Sequence, residues 1–154
     1  MDVSRVSYKK LLVPLDGSGF AEMALPHAID ISHRMGASVV LVRVLPPVSL
    51  LLPLDATTII DLEALKSKAR EEAEMYIRSR AGELRQMNVP AKGLVVEGIP
   101  VAEQILNVAT AEGVDLIVMT THGRSGLGRW VYGSVARQVL LNAPMPVLLV
   151  PARE

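Results

Sequence analysis

Five short runs rich in Val, Leu and Ile, separated by amphipathic stretches, limit the folds open to this chain more than any other feature of its sequence. The runs are Leu11–Leu15, Ser38–Leu45, Ala91–Glu97, Val114–Thr120 and Val147–Val150. Such segments, bounded by Gly, Pro, Asn and Asp, read as buried strands. Between the first two, Ala24, Leu25, Ala28, Ile31 and Met35 recur at helical spacing up to Gly36, so a helix is predicted over 21–35, with Pro26 as a kink inside it. A long helix is expected from about Asp61 to Met87, on a stripe of Leu62, Leu65, Ala69, Ala73, Tyr76, Ile77, Arg80 and Leu84. A further helix covers 101–112, with Pro100 near its first position and Gly113 as its stop. A last one runs from about Ser134 to Leu141. The segment Pro46 to Ile60 has no period and reads as a flap.

The resulting order is βαβαβαβαβ. Alternation with short joins implies right-handed crossovers and a parallel sheet covered on both faces. The expected class is a doubly wound α/β fold, with 1–154 as one domain. Composition agrees: half of the residues are hydrophobic but only 3% are aromatic, so an aliphatic core is required, as in a buried parallel sheet.

Lys plus Arg equals Asp plus Glu at sixteen each, which provides no overall field toward nucleic acid or an anionic membrane surface. The absence of cysteine excludes disulfides, thiolate metal sites and thiol catalysis. The polar stretch Met1 to Lys10 leads into only five apolar residues, too few for a secretory signal core. The longest apolar stretch, Val48 to Leu54, is broken by Pro53 and falls far short of the ~20 residues that span a bilayer. A soluble, cytoplasmic protein is the expectation.

Ligands of open parallel sheets sit beyond the carboxyl ends of the strands. Two segments there look like more than connections: Asp16-Gly17-Ser18-Gly19, and Thr121 through Ser134. In the second, Gly123, Gly126 and Gly128 let the backbone turn its amides inward, Arg124 and Arg129 add positive charge, and Gly133-Ser134 opens a helix whose free N–H groups favour an anion. Ser134 has two readings, as a helix cap or as a hydroxyl for a phosphate. Asp16 also has two: a turn aspartate bonding the following amides, or a carboxylate facing a ribose hydroxyl or adenine amine. Neither the P-loop pattern nor the dinucleotide glycine pattern is present. Of His27, His33 and His122, only His122 lies in a candidate site, and one histidine makes no metal centre.

The stretch Leu11-Leu12-Val13-Pro14-Leu15-Asp16-Gly17-Ser18, with Met119-Thr120-Thr121-His122-Gly123-Arg124-Ser125-Gly126-Leu127 and Gly133-Ser134-Val135-Ala136, resembles the universal stress protein family over nearly the whole chain. The family's ATP-binding members carry a glycine, two residues, a glycine, nine residues, then glycine and serine or threonine. Gly123 and Gly133-Ser134 match the later part, while Thr120 stands in the place of the first glycine, where a negative φ suits a threonine. The resemblance implies a flavodoxin-like, Rossmann-like sheet in the order 3-2-1-4-5. It also implies ATP contacts from Pro14, Leu15, Asp16, Val44, Met119, Thr120, Thr121, His122, Gly123, Arg124, Ser125, Arg129, Gly133, Ser134 and Val135, with Mg²⁺ or Mn²⁺ as a companion of the phosphates. A homodimer pairing the last strands, Val147–Val150, is implied too.

The function so indicated is adenine-nucleotide-dependent sensing or signalling through a protein partner. The alternatives are slow ATP hydrolysis and a dimeric interaction module that takes no nucleotide. No evident base activates an attacking water, which argues against rapid catalysis.

Overall fold

The computed structural model describes residues 5–50, 61–122 and 133–153. Five parallel strands form one sheet in the order β3-β2-β1-β4-β5: β1 is Lys10–Pro14, β2 Ser38–Leu45, β3 Ala91–Glu97, β4 Leu116–Thr120 and β5 Val147–Val150. The helices are α1 Gly19–Glu22, α2 Leu25–Met35, α3 Leu62–Gln86, α4 Val101–Ala111 and α5 Ser134–Asn142. This is the flavodoxin-like doubly wound arrangement, with the winding reversing between β1 and β4.

Strand alternation divides the core in two. Leu11, Val13, Leu15, Val39 and Leu41 face α2 and α3, and pack with Ala28, Ile77, Ala81 and Leu84. Leu12, Val40, Val42, Ile117 and Met119 face α4 and α5, and pack with Ile105, Val108, Ala109 and Val139. Both faces of the central strands are apolar for this reason, and β1 reads as an unbroken run.

The helix expected over 21–35 is two helices. The chain leaves α1 at Met23, and Pro26 falls at the first turn of α2. A proline lacks an N–H, but none is needed in a helix's first turn, so the chain restarts there rather than kinking. Gly36 ends α2 at φ 68°, donating its N–H to the Ser32 carbonyl at 2.8 Å. Pro100 is the cap residue before α4, which starts at Val101 as expected. β4 starts at Leu116, and Asp115 just before it ties the starts of β1 and β4 together: its carboxylate accepts the Lys9 and Lys10 amides at 2.8 and 3.1 Å, and its own amide donates to the Lys10 carbonyl at 3.0 Å.

Helix α3 starts at the Asp61 cap, whose carboxylate accepts the Ala64 amide at 3.1 Å. Its apolar stripe is buried only from Ala73 onward; Leu62 and Leu65 remain 45% and 37% exposed. The buried part lies on β3 at Gly93, where a Cβ would collide with Ile77 Cγ2 and come within 3.2 Å of the Ile77 carbonyl oxygen. Of the expected flap, 46–50 holds a short 3₁₀ turn, Val48–Leu50, and 51–60 lies outside the described residues. Among the described residues, no helix is long and apolar enough to cross a membrane.

Candidate functional site

Strands of unequal length create the site. β1 stops at Pro14, opposite Val42, whereas β2 continues to Leu45. The last bond between them runs from the Leu15 amide to the Val42 carbonyl at 2.8 Å, after which the chain turns away through Asp16. On the other side of β2, the Gly98 amide donates to the Leu45 carbonyl at 3.0 Å. Main-chain polar groups point to alternate sides along a strand. The Val42 carbonyl faces β1 and the Leu45 carbonyl faces β3, so the N–H and C=O of Val44 both face the β1 side, past the point where β1 has ended.

That ledge borders a cavity of about 350 Å³. Its apolar wall comes from Leu15, Ala21, Val42, Val44, Val101, Ile105, Met119 and Ala136; its polar rim includes Asp16, Arg43, Thr120, Thr121, His122 and Ser134. A volume of this size, largely apolar with a few convergent polar groups, is what a small-molecule site requires.

At the carboxyl end of β4 the backbone is clamped. Thr120 and Thr121 are buried. Thr120 Oγ1 donates to the His122 carbonyl at 2.6 Å, the Thr121 amide donates to the Val150 carbonyl at 3.0 Å, and the Thr121 carbonyl accepts the Gly133 amide at 2.8 Å. Thr120 thus spends its hydroxyl on its own loop. Among the described residues Asn88 is the only non-glycine with positive φ, so Thr120 sits in its place without backbone strain. His122 Nδ1 is buried with no hydrogen-bond partner, a cost of about 1–3 kcal/mol for such a group.

The amino end of α5 closes the other side of the cavity. Gly133, at φ −54° and ψ 150°, is the cap residue, and among the described residues no side chain caps this helix. Ser134 is therefore the first helical residue, and the capping reading of its hydroxyl falls. The first amides of a helix have no partner within it, and their partial positive charge favours an anion. Gly133 also lets α5 approach the end of β4, because a Cβ there would lie 3.2 Å from the Thr121 carbonyl oxygen.

Asp16 is both a turn residue and a wall residue. Its Oδ1 accepts from the Ser18 amide at 2.9 Å and from Ser18 Oγ at 2.5 Å, and Ser18 Oγ in turn accepts the Ala21 amide at 3.2 Å, which caps α1. The carboxylate is thereby held at the rim of the cavity. Among the described residues no three His, Asp or Glu gather closely enough to hold a metal ion.

Of the residues named from the sequence, Pro14, Leu15, Asp16, Val44, Met119, Thr120, Thr121, His122, Gly133, Ser134 and Val135 line this one cavity. Gly123, Arg124, Ser125 and Arg129 lie outside the described residues. Sequence reading missed Ala21, Val42, Arg43, Pro46, Val101, Ile105 and Ala136. The available signal was positional: Arg43 and Pro46 flank Val44 at the end of β2, and Val101 starts the helix that follows β3.

The universal stress protein family model matches residues 7–151. The universal stress protein MJ0577 of Methanocaldococcus jannaschii is 35% identical over 156 residues, covering 94% of this chain and 96% of that one. The structure of MJ0577 superposes with a TM-score of 0.82 at 33% identity, covering 97% of this chain and 99% of its own. Two more distant structures share the fold. One is a universal stress protein in complex with cAMP, with TM-score 0.66, 19% identity and coverage of 96% and 100%. The other is the universal stress protein from Archaeoglobus fulgidus in complex with dAMP, with TM-score 0.63, 20% identity and coverage of 94% and 98%. With a family match over nearly its whole length and a relative of this similarity, the chain belongs to the universal stress protein family.

Proposed function

We propose that this protein binds ATP in the cavity above β1 and works as a nucleotide-dependent regulatory domain rather than as a fast enzyme. The observation that carries the reading is the pairing of two features across one cavity: the main-chain ledge at Val44 and the uncapped amino end of α5. The ledge offers one donor and one acceptor side by side. Adenine presents their complement, an acceptor at N1 and a donor at its 6-amino group, and its ring faces suit the apolar wall. Asp16 stands where ribose hydroxyls would donate. The phosphates then reach the amides of α5, and Mg²⁺ or Mn²⁺ enters bound to the phosphates rather than to side chains. The fold-mates in complex with cAMP and dAMP agree with an adenine nucleotide as the class of ligand.

Binding is tested by thermal unfolding with and without ATP, together with mass spectrometry of nucleotide released from freshly purified, heat-denatured protein. At a hundred times its Kd a ligand stabilises by about 2.7 kcal/mol, which for a chain of this length raises Tm by roughly 5–10 °C. No adenine nucleotide in the preparation and no rise in Tm would refute the reading. GTP discriminates further, because guanine carries a donor at N1 and an acceptor at C6, the reverse of what Val44 requires. Two mismatched buried groups at about 1–3 kcal/mol each make GTP weaker by on the order of 30-fold or more. Equal affinity for ATP and GTP would remove Val44 as the base reader.

The regulatory unit is a homodimer in this reading, joined along β5. That strand is the sheet edge beside β4, and Leu148 on it is 37% exposed, with Leu140 and Leu141 of α5 at 44% and 66%. An apolar open edge invites pairing with a second copy. Light scattering at micromolar concentration should give twice the chain mass, and Leu148→Lys should shift it to the monomer; a wild-type monomer would exclude the dimer.

A further inference from the structure

Tyr76 stands outside the cavity, yet it touches two of the elements that wall it. Its hydroxyl donates to Glu22 Oε1 at 2.8 Å, and Glu22 is the last residue of α1, next to the cavity residue Ala21. Arg43 of β2 is among the cavity-lining residues, and its guanidinium lies over the Tyr76 ring at 5.8 Å from its centroid. Arg80, one turn along α3, lies 5.7 Å from the same centroid and closes the cluster. Its Nε is 3.0 Å from Glu22 Oε1, an ion pair without hydrogen-bond alignment, and its Nη1 bonds Glu83 Oε2 at 2.8 Å.

We infer that Tyr76 is a positioning residue for the nucleotide cavity: its ring fixes Arg43 on the β2 wall while its hydroxyl fixes α1 through Glu22, so one side chain of α3 sets the spacing of two cavity walls. The inference rests on the proposed nucleotide site for its ligand and on the geometry alone for its mechanics. α1 needs an external tie, since it is a four-residue helix with one buried residue, Ala21. A helix that short has no stability of its own. The Glu22 contacts tie its far end to α3, beside the core seating of Ala24 two residues on. The tie is durable in alkaline solution, because burial first, and then the bond to the Glu22 carboxylate, push the Tyr76 phenol well above its ordinary range and keep it a donor.

Two measurements on the full chain test this. Hydrogen exchange of the free protein reads the mechanics without any ligand: Tyr76→Phe, which keeps the ring and removes the hydroxyl, should speed exchange across 19–24 at least fivefold and leave α4 unchanged. No change at 19–24 overturns the inference. Calorimetric titration with ATP reads the consequence: Tyr76→Leu should weaken binding about tenfold, and Tyr76→Phe two- to threefold. Ile77→Val, a core change on the same helix, supplies the comparison for lost stability alone. If Ile77→Val weakens ATP as much as Tyr76→Leu does, Tyr76 is merely structural and the inference fails. If wild-type protein takes up no ATP, the proposed ligand is refuted, while the exchange result still decides whether Tyr76 holds the walls.

Discussion

The Gly133→Asp variant should lose ATP affinity by on the order of 100-fold or more while remaining at least as resistant to heat as the wild type. Gly133 is the cap of α5 with ψ at 150°, a conformation in which aspartate is a strong cap, and the helix at present has no side-chain cap. The new carboxylate would accept the first-turn amides and stabilise the helix by about 1 kcal/mol. It would also bring like charge to the place proposed for the phosphate oxygens, and like charges brought together across a binding surface cost several kcal/mol. The crowding of the new Cβ against the Thr121 carbonyl, 3.2 Å away, is common to any side chain at this position, so Gly133→Ala isolates it. The alanine variant should bind within a few-fold of wild type. Titration calorimetry for affinity and thermal unfolding for stability decide the matter together. An aspartate variant that binds ATP normally would show that no phosphate rests on α5.

Gly93→Ala should lower stability by about 1–3 kcal/mol, a Tm drop of roughly 2–10 °C for a chain of this size. Its added methyl meets Ile77 Cγ2 directly, and the Ile77 carbonyl stands 3.2 Å away on the backbone of α3. Ile77 is 2% exposed and embedded in the core on that face, so its side chain has little room to retreat. To accommodate the methyl, α3 must lift from β3. Pairing the change with Ile77→Ala removes the colliding Cγ2 methyl, and the double variant should lose less than the two single losses added together. Thermal or urea unfolding of the four proteins gives the coupling between the sites. A Gly93→Ala protein as stable as wild type would mean that α3 is not seated on β3 at this point.

Most of the architecture was legible because parallel strands buried on both faces appear as unbroken aliphatic runs. β2, β3 and β5 begin and end at the residues expected from the sequence. Errors arose where a local bond outweighed the pattern. Asp115 sits within a strand-like segment, yet the Lys9 and Lys10 amides there bond its side-chain carboxylate, and β4 begins only at the next residue. Pro26 appears to lie inside one helix until its missing N–H is matched to the first turn of another. The stripe of α3 is periodic from Leu62, yet periodicity carries no information about where the sheet ends, and Leu62 and Leu65 stay exposed.

The candidate site was legible at its glycine and aspartate positions, where backbone geometry demands particular residues. It was less legible where ordinary residues contribute by location. Val42, Val101 and Ile105 are indistinguishable in sequence from any core aliphatic, and only their place beside the end of β1 makes them wall residues. The network of Tyr76, Glu22 and Arg43 had no sequence signature at all, since its members lie 54 and 33 positions apart in the chain.

The shortness of β1 has an evolutionary corollary. Under the proposed reading, a base held by the peptide groups of Val44 is read the same way whatever side chain stands there, so drift among valine, isoleucine or threonine would leave a preference for adenine untouched. Only a proline, which deletes the donor, or a lengthened first strand, which would cover both groups, erases it. Among descendants of this chain, residue identity at that position would then be a poor guide to which of them bind adenine.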